Sequence, residues 1–138
     1  MALSVGDKIP ATSFKRLGAD GMQDVSTADY CKGRKVAIFA LPGAFTPTCS
    51  AQHVPNYVQN AAALKAKGIA AIGCVSVNDA FVMQAWGEAQ KVGDAVDMLA
   101  DGNGEFAQAT GLTLDGTGFG LGQRTGRFSM IVDDGTVT

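Results

Sequence analysis

Apolar residues along this chain fall in short continuous runs, separated by segments with helical spacing. Residues 36–41 (VAIFAL) are an unbroken apolar run ending at Pro42, the pattern of a strand buried on both faces. Residues 69–77 (IAAIGCVSV) are a second such run, and 96–100 and 128–132 are shorter ones. Residues 14–17 predict a first strand that turns at 18–21 (GADG), and 133–135 (DDG) turn into 136–138. Helices fit between these runs. Residues 50–67 predict one in which Val54, Tyr57, Val58, Ala61 and Leu64 recur at three- and four-residue steps, with Gly68 as its cap. Asn78 starts another, with Phe81, Val82, Ala85, Trp86 and Ala89 on one side, read as core; residues 104–110 predict a short third. Strand-helix alternation predicts an α/β domain, and 138 residues suffice for one core but not two.

The segment joining the 36–41 strand to the next helix, PGAFTPTC at 42–49, carries the chemistry. Thr46-Pro47 is a helix-start signal, a hydroxyl suited to the N-cap followed by proline. Cys49 then falls in the first helical turn, where unsatisfied N–H groups and the helix dipole favour a thiolate. An ordinary thiol with a pKa of about 8.5 is only a few per cent ionised at neutrality. Lowering it by about two units takes roughly 2.7 kcal/mol, whereas a helix N-terminus supplies about 0.3–1 and at most about 2. A cation from elsewhere in the chain is therefore expected to complete the site.

Composition narrows the function classes. Hydrophobic residues make up 46% and charged ones 17%, a globular balance, and the net charge of -2 gives no electrostatic reason to expect nucleic acid or an anionic membrane. No apolar stretch approaches membrane-spanning length. The start, MALSVGD, has neither a signal-peptide core nor an arginine-rich transit segment, so the cytoplasm is the default expectation; a chain cut from an organellar leader would look the same. Three cysteines, an odd number, argue against a disulfide-stapled secreted domain. Cys31 reads as a bystander in a turn before the 36–41 strand, and Cys74 as a small buried hydrophobe in the 69–77 strand. Cys49 and the single histidine, His53, have the spacing of a ligand pair, but no local motif adds further ligands, so no metal is expected. The glycine-dense 116–126 segment fits neither G-x-G-x-x-G nor a P-loop, and reads as a flexible approach to Arg127 bordering the active site.

Pro42, Thr46 and Cys49 fit the P-x-x-x-T-x-x-C signature of peroxiredoxins, and PGAFTPTCS resembles their type 5 (type II, atypical) subgroup. Three further blocks match in order: ALKAKG at 63–68, VSVNDAFV at 75–82 and RFSM at 127–130. The resemblance runs from about Val5 to the last residue and implies a thioredoxin-like fold with a central mixed sheet flanked by helices. It also implies a single domain over residues 1–138 that lacks the family's C-terminal strand and helix.

Carried across residue by residue, the resemblance makes Cys49 the peroxidatic nucleophile. Thr46 becomes a hydroxyl that hydrogen-bonds and helps orient the peroxide, Pro42 a cover over the thiolate, and Arg127 the cation that the pKa argument requires. It implies reduction of hydrogen peroxide and small alkyl hydroperoxides with no metal or organic cofactor. It further implies a homodimer, with glutathione, glutaredoxin or thioredoxin as reductant. Three resolving routes stay open: an external thiol, a Cys49–Cys74 disulfide, or a cysteine in a C-terminal segment. Pro55 cannot donate to the carbonyl of Ala51, which predicts a weakened first turn that unwinds after oxidation. Two alternatives stand beside the peroxidase: a non-catalytic redox-sensing or interaction protein, and a thiol-disulfide oxidoreductase. Against the latter, Thr46 occupies the first position of what would be Cys-x-x-Cys.

Overall fold

Three parallel strands, buried on both faces, form the centre of the molecule. The computed structural model describes residues 3–18, 21–46, 54–93 and 95–138. Its elements run β1 (Ser13–Gly18), β2 (Gly21–Ser26), α1 (Thr27–Cys31), β3 (Lys35–Ala40), α2 (Val54–Ala66), β4 (Ala71–Ser76), α3 (Ala80–Ala89) and β5 (Asp97–Ala100). They continue with α4 (Glu105–Thr110), β6 (Thr113–Asp115), β7 (Gln123–Thr125), β8 (Phe128–Asp133) and β9 (Thr136–Val137). The main sheet has the order β2-β1-β5-β4-β3-β8-β9, while β6 and β7 pair separately. β3, β4 and β5 are mutually parallel, and β1, β2, β8 and β9 join antiparallel.

The apolar runs explain this centre. Side chains of β3 alternate between two cores, as strand periodicity requires. Ala37 and Phe39 pack with Ile72 and Cys74 of β4, Val54 and Ala61 of α2, and Met83 and Trp86 of α3. Val36, Ile38 and Ala40 pack on the opposite side with Phe14, Tyr30, Leu99 and Phe106. Helices α2 and α3 thus cover one face, and α1 and α4 the other. The mixed sheet flanked by helices is the α/β class that the alternation predicts.

Local signals set the helix ends. Asp79 caps α3, accepting a hydrogen bond from the Val82 amide at 2.8 Å, so this helix begins after Asn78 rather than at it. Gly68 closes α2 with a positive φ of 97°, and its amide donates to the Lys65 carbonyl. At α4 the N-cap position is Gly104, and the capping falls to buried Asp101, which accepts from the amides of Phe106 and Ala107 at 3.0 and 2.9 Å. Burial raises the Asp101 pKa, and these two amides offset the rise only in part.

Several expectations change. The buried side of α3 is Ala80, Met83, Trp86 and Gly87, whereas Phe81 is 61% exposed and Ala85 and Ala89 face solvent. The apolar positions of this segment are dense enough to support two stripes about a third of a turn apart, and sheet packing selects between them. Cys31 ends helix α1 and is buried, rather than sitting in a turn. That helix has five residues, too few for periodicity to reveal, although Ser26 caps it by accepting from the Asp29 amide. Strand β2 also escapes sequence reading, because its residues are mostly exposed and it lies at the sheet edge beside β1. The predicted helix at 50–67 is described from Val54 onward; its earlier residues, with Cys49 and His53, lie outside the described residues, and so does the inference about the Ala51 carbonyl.

Two predictions follow from this packing. A Cβ on Gly73 would lie 2.8 Å from Leu99 Cδ1 and 3.1 Å from the Tyr30 hydroxyl. Gly73→Ala should therefore cost about 1–3 kcal/mol, read as a lower denaturant midpoint at unchanged slope. Desolvation raises the Cys31 pKa, with Arg34 opposing, and burial beside Asp97 raises that of Tyr30. A group whose folded pKa is raised contributes stability that is full below its unfolded pKa, about 8.5 for a thiol, and is lost as pH rises through the folded value. Denaturation midpoints should therefore fall above roughly pH 8.5, and Cys31→Ala should make the fall shallower.

Candidate active site

The 42–46 segment leaves the carboxyl end of β3 at the edge where β4 also ends, the edge of an open α/β sheet at which ligands characteristically bind. The Leu41 amide still donates to the Val75 carbonyl at 3.2 Å, so the departure from the sheet is at Pro42, which has no amide hydrogen to continue the ladder. Beyond it the backbone is tied down at several points. The Ala44 amide donates to Asn78 Oδ1 at 3.0 Å, and the same oxygen accepts from Ser76 Oγ at 2.6 Å. Asn78 thereby fastens the segment to the end of β4.

Phe45 adopts a left-handed φ of 62°, an uncommon conformation for an aromatic residue and one that surrounding contacts must hold. Its ring is 55% exposed, with its centroid 6.3 Å from that of buried Trp86. Thr46 follows, and its Oγ1 donates to the Gly43 carbonyl at 2.7 Å. A threonine hydroxyl has one proton and two lone pairs. With that proton directed at Gly43, the lone pairs of the Thr46 hydroxyl are what it can offer a further partner.

Strand register places Arg127. Ala40 of β3 pairs with Phe128 of β8, so Arg127 sits one position beyond the ladder, opposite Leu41 and beside the start of the 42–46 segment. Its exposed side chain is thus rooted at the same sheet edge as Pro42 and Thr46. Next along β8, Ser129 shares a 2.5 Å hydrogen bond with the Tyr57 hydroxyl, and the Tyr57 ring stacks on Phe39 at 3.9 Å between centroids. These contacts join α2 to β8 and β3. Cys49 lies between the segment and α2, outside the described residues.

Cys74 occupies the middle of β4, opposite Phe39, and is fully buried in the core under α2 and α3. It is not in a disulfide, and a partner sulfur would have to enter that core to reach it. The glycine-dense segment is more ordered than a flexible approach. Leu114 pairs with Arg124 in the β6–β7 hairpin, and a 3-10 turn at Thr117–Phe119 lies between the two strands. From β7, Arg124 reaches back to the 42–46 segment, with Nη1 donating to the Pro42 carbonyl at 3.2 Å and Nε to the Leu121 carbonyl at 2.9 Å. Among the described residues of this edge, sequence reading does not single out Arg124, and it takes Asn78 only as a helix start rather than as a tie to the 42–46 segment. For Arg124 the available signal is its position three residues before Arg127 in a glycine-rich hairpin; for Asn78, its position just before a capping aspartate.

Comparison with known proteins agrees with this geometry. Residues 4–138 match the family described as Redoxin. The chain is 48% identical over 140 residues to the rice (Oryza sativa subsp. japonica) protein named peroxiredoxin-2E-2, chloroplastic, covering 98% of this chain and 62% of that protein, so it spans about three fifths of that relative's length. Among solved structures, reduced Prx3 of Vibrio vulnificus in complex with hydrogen peroxide superposes with a TM-score of 0.95 at 48% identity, covering 99% of this chain and 85% of that one. Peroxiredoxin 5 of Alvinella pompejana superposes with a TM-score of 0.89 at 34% identity, covering 98% and 86%. A thioredoxin-like sheet, a proline-to-threonine segment at its carboxyl edge and this set of relatives converge: the chain belongs to the redoxin family and, within it, to the peroxiredoxins of the type 5 kind.

Proposed function

We propose that this chain is a thiol-dependent peroxidase that reduces hydrogen peroxide and small alkyl hydroperoxides at Cys49. The observation that carries the reading is the shared edge: Pro42, Thr46 and the root of Arg127 converge at the end of β3, and Cys49 follows Thr46 by three residues. The Cys49 thiolate attacks one peroxide oxygen in line; the S–O bond forms as the O–O bond breaks. Sulfur is oxidised by two electrons to sulfenic acid, and the other oxygen leaves as water or alcohol after protonation. Thr46 accepts the hydrogen bond of the peroxide O–H, and the Arg127 guanidinium stabilises the thiolate and the charge growing on the leaving oxygen. Pro42, without an amide hydrogen and rigid in φ, covers the thiolate.

A second thiol then attacks the sulfenic sulfur and releases water, and a further thiol reduces the resulting disulfide. The interior position of Cys74 favours an external thiol for this step, supplied by glutathione, glutaredoxin or thioredoxin. A relative in Haemophilus influenzae, 41% identical to this chain, is named a hybrid peroxiredoxin, hyPrx5. The reading includes a homodimer and a cytoplasmic setting; an organellar one is the alternative, since two relatives are named as chloroplastic.

Cys49→Ser should abolish peroxide consumption, and dimedone should trap a sulfenic acid on Cys49 of the wild-type chain after one equivalent of peroxide. Peroxide consumption retained in the serine variant would defeat the peroxidase reading. Thr46→Val, which keeps shape and removes the hydroxyl, should slow the peroxide step by about 10²–10³-fold. Cys74→Ala should keep turnover with at least one external thiol and lose roughly 1 kcal/mol of stability or less, measured by denaturant titration. Loss of turnover with every thiol donor tested would instead assign Cys74 the resolving role.

A further inference from the structure

Arg124 lies 82 positions along the chain from Pro42, yet its guanidinium fills the space beside the 42–46 segment. It donates to two backbone carbonyls, Leu121 O and Pro42 O, in different loops. We propose that Arg124 is a positioning residue for the peroxide reaction, setting the backbone on which Thr46 is displayed. The inference rests on the peroxidase reading above.

Three observations carry it. The planar fork of a guanidinium can donate to two carbonyls from fixed angles, and here Nε takes one and Nη1 the other. The second observation is the fit at Gly43. A Cβ there would lie 3.0 Å from Arg124 Nη1 and 3.1 Å from Thr46 Cγ2, so the missing side chain is what lets arginine and threonine both close on this peptide. The third is the continuity of contacts. Arg124 holds Pro42 O, the next residue's carbonyl takes the Thr46 hydroxyl proton, and Asn78 holds the Ala44 amide between them.

Through this chain the guanidinium decides where the threonine lone pairs point. Arg124 itself need not touch the peroxide. Alignment of this kind acts steeply on rate, since a displacement of about 1 Å can cost on the order of a hundredfold.

The test uses the full chain with Arg124→Gln, Arg124→Lys and Gly43→Ala. Hydrogen peroxide is the oxidant in rapid mixing, and iodoacetamide is the alkylating agent in a pH series. Each substitution should lower the second-order rate constant for Cys49 oxidation by about ten- to a hundredfold. The midpoint of the alkylation titration should move by less than about half a pH unit. Gly43→Ala should show the loss although the Arg124 charge is intact, and lysine should fail to restore the arginine rate because a point charge cannot serve both carbonyls.

Wild-type rate constants in Arg124→Gln and Gly43→Ala would overturn the proposal. So would a titration midpoint rising in step with the lost rate, which would make Arg124 a charge acting on the thiol. A melting transition below the assay temperature in all three variants would assign it a purely structural role and equally overturn the proposal. Failure of the parent reading looks different: the wild-type chain itself would not react with peroxide.

Discussion

The backbone between Pro42 and Thr46 holds its shape because residues distant in sequence hold its polar groups. Phe45 is left-handed, and a threonine hydroxyl is turned back onto a carbonyl three residues earlier. A short free segment would not keep this arrangement, since each fixed residue costs roughly 1–2 kcal/mol of backbone entropy. The ties at Ala44 and Pro42, made by Asn78 and Arg124, supply the compensating hydrogen bonds. Thr46 inherits its orientation from them.

The sheet makes those ties possible. Parallel pairing of β3 with β4 brings Leu41 and Ser76 to one edge, and antiparallel pairing with β8 brings Arg127 there as well. Register is fixed firmly because both faces are buried: a slip by one residue would exchange Phe39 and Ile38 between the two cores. The same burial sets the environments of Cys31 and Cys74. Cys31 is held as a thiol by desolvation, and Cys74 is enclosed among apolar side chains. Cys49 belongs instead to the segment linking the carboxyl edge to α2.

Sequence and structure agree best where one physical effect dominates. The continuous apolar runs of β3 and β4 announce buried strands, and Gly68 announces the end of α2. Pro42 and Thr46 are legible as a motif, because short-range chemistry and chain order specify them together. Arg127 needs the family resemblance to be singled out, and the strand register then explains its place. Phe81 is exposed rather than core because α3 carries more apolar residues than it can bury, and only the sheet decides which face turns inward. The ties made by Arg124 and Asn78 are illegible for another reason. Their roles rest on hydrogen bonds to main-chain atoms remote in sequence, and backbone carbonyls and amides leave no residue-type signal.

On the proposed reading, this scaffold makes one sulfur a far better peroxide nucleophile than a thiol in water. The most direct measurement is the second-order rate constant for hydrogen peroxide with the reduced chain at neutral pH, set beside that of free cysteine in the same buffer. A value several orders of magnitude above free cysteine is predicted, as expected when a depressed pKa, alignment and charge stabilisation act together. A value equal to that of free cysteine would contradict it.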